Sequence, residues 1–387
     1  MVYPDNFYGM RIAIIKSNFT PYGGAEKYTT RLIGAFLKNN FSVDVITTAH
    51  SDWSSTDLKL RQIVLKQCHC TNLLRLMTFH ASVKQYLQKE PYDCILGMEC
   101  TGYHTHIRAG GGCHAAWIRR RCAESSWLRC LSFRMNPFHK AMMALEKTAF
   151  LSDRLKRIIC NSHLVENEIA SFYPRAKDKV TVVHNGVEWD EVANAFETGL
   201  KKRDDIVRNL HLNPDRFFFL FVGSGYERKG LAKAIRALLF LPDYADLIIV
   251  GKDRRQNYYE GLCKKSGLAK RVHFLGPQKN IIPFLQVADA FVLPTIYDPF
   301  SNASLEALAM GVYLVTSNAN GCSEVMTEGS GFIIRNLSDT HSVAEAMRTA
   351  LEPHLPKKEI RETVRHLDFE KQLQKIVDSC IADMQRG

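Results

Sequence analysis

Residues 217–230 read FFFLFVGSGYERKG and contain the repeating unit from which the fold is inferred. Phe217 to Val222 is an unbroken apolar run of strand length, and a helical pattern begins at Gly230 after a glycine-containing loop. An all-apolar strand is typical of a parallel sheet that is covered by helices on both faces. The stretch therefore predicts a β-strand, a turn and an α-helix of a doubly wound α/β fold.

Similar strand–helix units precede and follow this stretch. The first begins with the strand-like residues 11–17, and the pattern restarts after the sequence HNG at residues 184–186. We therefore predict an α/β protein with two doubly wound Rossmann-like domains, at residues 1–187 and 188–365, which face each other across a cleft. A C-terminal helix at residues 366–387 is expected to cross back to the first domain. Ligands of such sheets bind at the carboxyl ends of the strands.

The excess positive charge lies entirely in the first half of the chain. The 387 residues include 51 Lys and Arg against 40 Asp and Glu, a net charge of +11. Residues 1–187 contain 25 basic and 14 acidic side chains, whereas residues 188–387 contain 26 of each. An acidic partner is therefore expected for the first domain. No stretch approaches the roughly 18 apolar residues that span a bilayer, and the N-terminus lacks a signal-peptide pattern, so we expect a cytoplasmic protein with reduced thiols.

Two loops at predicted strand ends carry residues suited to a diphosphate. Gly23 and Gly24 open the first helix, where glycine lets the backbone approach an anion. Arg228 and Lys229 lie together at the start of a predicted helix. The positive end of the helix dipole disfavours cations at this position, so an anionic ligand is expected beside them. A guanidinium beside an ammonium suits a diphosphate, so we expect both loops to bind one.

A third loop, DPFSNASLEALAMG at residues 298–311, carries groups that bind hydroxyls. Ser301 and Asn302 are natural helix caps, so the amides there are expected to point at a ligand. Asp298 and Glu306 are eight residues apart, or about 12 Å along a helix, whereas paired glycosidase carboxylates lie at most about 9.5 Å apart. The two acids are therefore interpreted as acceptors for hydroxyls of one ligand. Together the three loops predict a nucleotide diphosphate sugar.

These motifs resemble those of the retaining glycosyltransferases of family 4, which have the GT-B fold. The second loop is similar to their diphosphate loop, LPTIYDPFSNASLEALAMG at 293–311 to their E-x7-E signature, and PYGGAEKYT at 21–29 to their glycine loop. IRAGGGCHAAWIRRR at 107–121 is similar to the lipopolysaccharide core glucosyltransferases. The resemblance implies transfer of a hexose to a lipopolysaccharide-core or related glycan. It further implies that the hexose is glucose and that the donor is UDP-linked.

The resemblance also assigns roles to individual residues. Asp298 replaces the Glu that is usual in the family, and Gly111 replaces an acidic residue usual in the core glucosyltransferases. His114 is then the nearest polar candidate for a catalytic role, ahead of His104 and His106. In the implied donor site, the diphosphate is bound by Gly23, Gly24, Arg228 and Lys229. The ribose is bound by Glu306. The transferred sugar is bound by Asp298 and by the amides of Ser301, Asn302 and Ala303.

Catalysis is expected to depend on Arg228 and Lys229, which would stabilise the charge that develops on the leaving diphosphate. The chain contains no Asp-x-Asp sequence, so we predict that no metal or other cofactor is needed. The sequence Cys68-His69-Cys70 would need two further ligands to bind zinc and is interpreted as buried or free thiols. Two alternatives stay open: a nucleotide-sugar epimerase or hydrolase on the same fold, and a degenerate sugar-nucleotide-binding protein.

Residues 114–147 combine seven basic and two acidic side chains with several aromatic ones. This mixture is typical of an amphipathic surface helix at an anionic membrane, although a solvated helix with inward-packed aromatics is the alternative. No nucleic-acid-binding module accompanies the charge, so we expect no nucleic acid partner. We predict an acidic glycolipid acceptor and peripheral association with the inner face of the cytoplasmic membrane, through Trp117, Arg119, Arg120, Arg121, Trp127 and Arg129.

Overall fold

The computed structural model describes residues 9–18, 24–49 and 58–386. These residues form two compact units: one extends to residue 184 and includes the segment from residue 370, and the other comprises residues 185–369. Each unit is a parallel β-sheet flanked by helices. The predicted α/β class with two Rossmann-like domains is therefore confirmed.

The first unit contains a seven-stranded parallel sheet in the order β3-β2-β1-β4-β5-β6-β7. The aliphatic residues 12–15 of β1 and 95–96 of β4, two adjacent strands near its centre, are buried, as expected for a sheet covered on both faces. Its strands are β1 (Arg11–Ile15), β2 (Ser42–Thr47), β3 (Leu60–Val64), β4 (Cys94–Gly97), β5 (His106–Arg108), β6 (Arg157–Cys160) and β7 (Val180–Val182). Its helices before the domain junction are α1 (Gly24–Lys38), α2 (Asn72–Leu87), α3 (His114–Ala123), α4 (Trp127–Met135), α5 (Pro137–Phe150) and α6 (His163–Phe172).

The second unit contains a six-stranded parallel sheet in the order β10-β9-β8-β11-β12-β13. The four residues from Phe218 to Phe221 are fully buried at its centre, so the apolar run that predicted the fold is a core strand. Its strands are β8 (Phe217–Val222), β9 (Ala245–Val250), β10 (Val272–Phe274), β11 (Ala290–Leu293), β12 (Tyr313–Ser317) and β13 (Gly331–Ile334). Its helices are α7 (Trp189–Asn209), α8 (Tyr226–Lys229), α9 (Leu231–Ala237), α10 (Gln256–Lys265), α11 (Ile282–Val287), α12 (Asn302–Ala309), α13 (Thr340–Arg348) and α14 (Lys357–Thr363).

The loop after β8 differs from the prediction in one respect. Arg228 and Lys229 end the short helix α8, and Gly230 interrupts the chain with a φ of 78° before α9 begins. A Cβ atom at Gly230 would lie 1.9 Å from the carbonyl oxygen of Pro294, so only glycine fits this close approach. The two cations therefore lie at the C-terminal end of a helical turn, and the prediction that they begin the following helix was wrong.

The last helix, α15 (Phe369–Gln385), packs in the first unit. The guanidinium of Arg157 donates from Nε and Nη2 to the two carboxylate oxygens of Asp383, at 2.6 Å each. Lys38 Nζ donates to Glu370 Oε2 at 2.9 Å near the other end of the helix. The predicted return of the C-terminal helix to the first domain is therefore confirmed. In the described ranges, no helix combines the length and apolar character that a bilayer crossing requires.

Candidate functional site

The loops after β8 and β11 meet at one buried carboxylate. These two strands are neighbours in the sheet, so the loops that follow them leave the same edge side by side. Lys229 Nζ donates to Asp298 Oδ2 at 3.1 Å, and Arg228 Nη1 donates to the same oxygen at 3.2 Å and to the carbonyl of Tyr297 at 2.7 Å. The diphosphate candidates and the sugar candidate of the sequence analysis are therefore in direct contact.

Asp298 is ionised in this arrangement. Burial raises the pKa of its carboxyl, but the charges of Lys229 and Arg228 outweigh burial and hold the pKa below its ordinary value. The backbone also fixes the residue, because Asp298 donates its N–H to the carbonyl of Ala319 and its carbonyl accepts from the N–H of Gly321, both at 2.9 Å. Both cations are therefore aimed at a fixed anionic point.

The stem of Lys229 is held against the backbone of the same loop. Gly223, which follows β8, has a φ of 142°, and a Cβ atom there would lie 2.4 Å from both Cδ and Cε of Lys229. Glycine at this position leaves room for the lysine to reach Asp298. The ammonium is nearly buried, with 11% of the side chain exposed, so its position is set by packing as well as by charge.

The N-terminus of α12 follows this loop, and the predicted sugar-binding amides lie there. Ser301 is the N-cap, since its Oγ accepts from the N–H of Ser304 at 3.3 Å. The N–H of Ser301 itself donates to Asn320 Oδ1 at 3.1 Å, so the expectation that this amide faces a ligand is wrong for this arrangement. The amides of Asn302 and Ala303 belong to the first turn, where N–H groups have no acceptor within the helix.

Glu306 lies one turn into α12 and is half-buried. The sequence-based separation of about 12 Å from Asp298 assumed a continuous helix between the two residues. The helix begins only at Asn302, so this estimate does not apply to the residues before it. Asp298 is ion-paired with two cations, so it is not the proton donor of a paired-carboxylate hydrolase.

The first unit carries a polar pair at the corresponding strand ends. Ser17, just after β1, donates its Oγ to Glu99 Oε2 at 3.0 Å, and its N–H donates to the other oxygen of the same carboxylate. Glu99 follows β4, the neighbour of β1 in the sheet. Glu99 was not predicted from the sequence, although its position two residues after a buried strand is the signal that would have identified it. Gly23 lies outside the described residues, and Gly24 is the first residue of α1.

His114 begins α3 and is occupied by contacts within the protein. The N–H groups of His114 and Ala115 donate to the carboxylate of Glu146 at 2.7 and 3.2 Å, and the hydroxyl of Tyr173 donates to it at 3.0 Å. The amide end of this helix therefore binds an internal anion. His114 Nε2 lies 3.1 Å from His139 Nδ1, and burial together with His139 lowers the pKa of His114 to about 4. The imidazole is neutral at physiological pH.

The two weaker histidine candidates are both buried. Burial lowers the pKa of His104 to about 3, and its Nδ1 lies 3.4 Å from Thr101 Oγ1. His106 is the first residue of β5, at the amino end of the strand rather than the carboxyl end where ligands bind. Cys68 is half-buried and Cys70 is exposed, and neither belongs to a three-ligand cluster within the described part of the chain.

The basic stretch forms the three helices α3, α4 and α5, and its predicted surface residues divide into two groups. The first group is exposed: α4 has no buried residue, and the exposed fractions of Trp127, Leu128 and Met135 are 74%, 61% and 63%. Arg129 is also exposed, and its guanidinium lies 5.7 Å from the ring centre of Phe133. This helix has the mixture of apolar and basic side chains that suits a membrane surface.

The second group lies on α3 and is partly turned inward. Arg120 donates from Nε to Glu168 Oε1 at 3.0 Å, and this carboxylate is only 4% exposed, so the prediction that Arg120 faces a membrane was wrong. Its charge compensates an otherwise buried anion. Trp117 is half-buried under the guanidinium of Arg121, which lies 5.4 Å from its ring, and Arg119 lies 4.8 Å from the ring of Phe172.

A disulfide joins α3 to the helix that follows it. Cys122 and Cys130 are bonded, with their Cα atoms 4.6 Å apart. This differs from the expectation that the thiols are reduced, because the turn between the two helices brings the two side chains together. The other nine cysteines, all within the described ranges, are not part of a disulfide.

Two known domains match this sequence. The Glycosyltransferase Family 4 domain matches residues 22–191, and the Glycosyl transferases group 1 domain matches residues 202–366. An uncharacterized glycosyltransferase of Methanocaldococcus jannaschii is 30% identical over 333 residues, which span 82% of this chain and 83% of the relative. The chain belongs to the family 4 glycosyltransferases.

The similarity extends to the lipopolysaccharide enzymes of this family. The lipopolysaccharide glucosyltransferase WaaG of Escherichia coli is 22% identical over 352 residues, or 88% of this chain and 90% of WaaG. The crystal structure of WaaG matches with a TM-score of 0.78, 20% identity and coverage of 95% of this chain and 99% of that chain. Anabaena HepE in complex with UDP and glucose matches with a TM-score of 0.71, 18% identity and coverage of 96% and 100%. These likenesses show the GT-B type of fold for this glycosyltransferase.

Proposed function

We propose that this glycosyltransferase moves glucose from UDP-glucose to a hydroxyl of a lipopolysaccharide-core glycan, with retention of the anomeric configuration. The observation that carries the proposal is the convergence of Arg228 and Lys229 on Asp298 at the carboxyl ends of β8 and β11. The complex of HepE with UDP and glucose supports the choice of donor, and the similarity to WaaG supports the choice of acceptor.

In the proposed reaction, the glycosidic bond to the diphosphate breaks and negative charge develops on the departing UDP, while the oxygen of the acceptor hydroxyl bonds to the anomeric carbon and its proton passes to the departing diphosphate. Arg228 and Lys229 stabilise that charge, since fixed cations in a partly buried site need no reorganisation during the reaction. Phosphate oxygens that approach these cations compete with Asp298 for them. Asp298, relieved of part of this pairing, then accepts hydrogen bonds from hydroxyls of the transferred sugar.

The amide end of α12 and Glu306 complete the proposed donor site. The N–H groups of Asn302 and Ala303 lie at a helix N-terminus, where partial positive charge favours electron-rich oxygens. Glu306 lies one turn further along the helix and accepts from the ribose hydroxyls. Because two side-chain cations take the place of a metal at the phosphates, the proposed reaction is metal-independent.

We further propose that the protein associates peripherally with the inner face of the cytoplasmic membrane through α4. Trp127, Leu128, Leu131 and Met135 are all exposed apolar side chains on this helix, and Arg129 and Arg134 are exposed beside them. Such a helix places its apolar side chains at the headgroup boundary and its arginines on anionic lipids. An acidic glycolipid acceptor in the same surface explains why the first domain carries the excess positive charge.

One assay separates the proposal from its alternatives. The full-length chain is incubated with a panel of labelled nucleotide sugars, with and without a lipopolysaccharide-core oligosaccharide, and both the glycan product and the released nucleotide are measured. We expect product only when UDP-glucose and the acceptor are both present, and unchanged rates in EDTA. Turnover without acceptor would identify an epimerase or hydrolase, and donor binding without turnover would identify a binding protein. Activity that is lost in EDTA and restored by Mg²⁺ or Mn²⁺ would contradict metal independence.

A further inference from the structure

Two buried thiols and a buried imidazole come together at the edge of the first sheet that the proposed reaction does not use. Cys94 is the first residue of β4, His106 is the first residue of β5, and Cys380 lies on α15. The cluster therefore lies at the amino ends of the strands, whereas the ligand-binding loops follow the carboxyl ends. Cys94, His106 and Cys380 are each completely buried.

The spacing of the three groups suits a common ligand. Cys94 Sγ lies 3.3 Å from His106 Nδ1, and the possible ligand atoms of all three residues lie within 4.8 Å of one another. In a tetrahedral zinc site, bonds of about 2.3 Å to sulfur and about 2.0 Å to nitrogen place the ligand atoms roughly 3.3–3.8 Å apart. Shifts of about 1 Å or less at the side chains convert the observed spacing into that geometry.

The orientation of His106 also matches that of a metal ligand. Its Nε2 lies 3.3 Å from Asp383 Oδ2, and Asp383 is an ionised acceptor because Arg157 donates to both of its oxygens. Nε2 therefore carries the proton, which leaves a lone pair on Nδ1, the nitrogen that lies 3.3 Å from Cys94 Sγ. A carboxylate behind the distal nitrogen is the arrangement that orients histidine ligands in zinc sites.

An oxygen atom is available beside these ligands. Thr105 Oγ1 lies 2.9 Å from His106 Nδ1 and 4.0 Å from Cys94 Sγ. The hydroxyl accepts from the N–H of Ile95 at 2.9 Å, and its single hydrogen lies within reach of both His106 Nδ1 and the carbonyl of Ile95, at 2.9 and 3.2 Å. A metal ion bound to Nδ1 would leave this hydrogen to the carbonyl of Ile95, and one lone pair of Oγ1 would then remain for a fourth ligand bond.

We infer that Cys94, His106 and Cys380 hold a structural Zn²⁺ ion, with Thr105 Oγ1 at the fourth position. Two thiolates and an imidazole are a soft ligand set that favours zinc over Mg²⁺ or Ca²⁺. Binding forms two Zn–S bonds and one Zn–N bond, releases the two thiol protons to solvent and changes no oxidation state. Because Cys380 lies on α15 and the other ligands lie on or beside β4 and β5, the ion fastens the last helix to the sheet. This role is separate from the proposed metal-free glycosyl transfer.

The direct test is the zinc content of the full-length chain. The protein is expressed in zinc-supplemented medium, purified with a non-thiol reductant and analysed by mass spectrometry for metal per chain. We expect about one zinc per chain in the unmodified protein and loss of most of it in C94S and C380S. Two controls should retain it: C160S, which changes a buried cysteine of the same unit, and C70S, which changes an exposed one.

A second measurement keeps the inference testable if the serine variants fold poorly. Co²⁺ is supplied in place of zinc, and the absorption band of sulfur-to-cobalt charge transfer is recorded for the unmodified chain, C160S and H106Q. We expect the band in the first two and a lost or shifted band in H106Q. Absence of bound metal in the unmodified chain, equal zinc in C380S, or an intact mass that shows a Cys94–Cys380 disulfide under reducing conditions would overturn the inference.

Discussion

The donor loops of the second unit and the basic helices of the first unit use positive charge in different ways. In the donor loops, Arg228 and Lys229 share one oxygen of Asp298 and are fixed by hydrogen bonds of 3.2 and 3.1 Å. In the basic helices, Arg121 and Arg129 lie over the face of Phe133 at 4.2 and 5.7 Å. The first arrangement defines a point where an anion binds. The second makes a surface positively charged without defining one ligand.

The largest effect is expected when the aimed cations are removed. R228A and K229A should each lower the turnover of UDP-glucose by roughly 10²–10³, because each removes fixed charge from the leaving group. K233A, one turn into α9, is the matched control: its ammonium donates to the carbonyl of Leu337 and it lies outside the Asp298 cluster. The rates are measured with saturating acceptor. Wild-type turnover in R228A would contradict the assignment of Arg228 to the leaving diphosphate.

The next largest effect is expected on stability and distinguishes Arg120 of α3, which is paired with Glu168, from its neighbour Arg119. R120A removes the guanidinium that pairs with the nearly buried carboxylate of Glu168, so we expect the free energy of unfolding to fall by about 3 kcal/mol in urea titrations. R119A removes a guanidinium that lies over the ring of Phe172 and should cost less than about 1 kcal/mol. Equal losses in the two variants would remove the distinction between paired and surface arginines. R120A should also bind anionic vesicles as the folded wild type does.

The pH dependence of stability tests the pairing of Asp298. Its pKa is lower in the folded chain than the ordinary value of about 3.9, so its ionised form contributes stability above that value, which is lost as the pH falls through the folded pKa. D298N should reduce the free energy of unfolding at pH 7 by about 1–3 kcal/mol, with a smaller difference from wild type at pH 3. Urea titrations across this range measure both quantities. If the difference in free energy of unfolding between wild type and D298N became larger toward acid pH, the pairing of Asp298 with the two cations would be contradicted.

The smallest effect concerns the exposed helix α4. Removal of one arginine near an anionic surface costs about 1 kcal/mol, so R129A should bind vesicles of anionic lipid roughly fivefold more weakly in low salt. W127A should weaken the same binding through loss of apolar burial. Tyr258 and Arg255 of the second unit provide a control pair, since an exposed tyrosine lies under a guanidinium there as well. Equal binding by W127A and Y258A in a co-sedimentation assay would place the membrane contact elsewhere.

Much of the fold could be predicted because its signals are local. The apolar run before Gly223 and the polar loop after it are sufficient to predict a buried strand followed by a ligand loop. The end of α8 could not be predicted, since it depends on the carbonyl of Pro294, which lies 64 residues beyond Gly230. A close approach between distant segments leaves no periodic pattern in either segment.

The candidate site shows the same division. The residue types in the loops were sufficient to predict a diphosphate and a sugar, because guanidinium, ammonium and carboxylate groups have few other uses together at strand ends. The internal partners were missed: Glu146 at the amide end of α3, Glu168 beside Arg120, and Asn320 on the amide of Ser301. Each partner is a polar side chain of ordinary type, and only its location identifies it.

The sequence by itself determined the α/β class, the two-domain repeat, the family and the excess of positive charge in the first half. These properties follow from local patterns and composition, which are present before the chain folds. The tertiary structure alone decided which charges are used: it paired Arg120 with the buried Glu168, left α4 exposed, joined both donor cations to Asp298 and brought Cys94, His106 and Cys380 together. The physical reason is that charge and ligand chemistry depend on distance and burial, and both are set by contacts between segments far apart in the sequence.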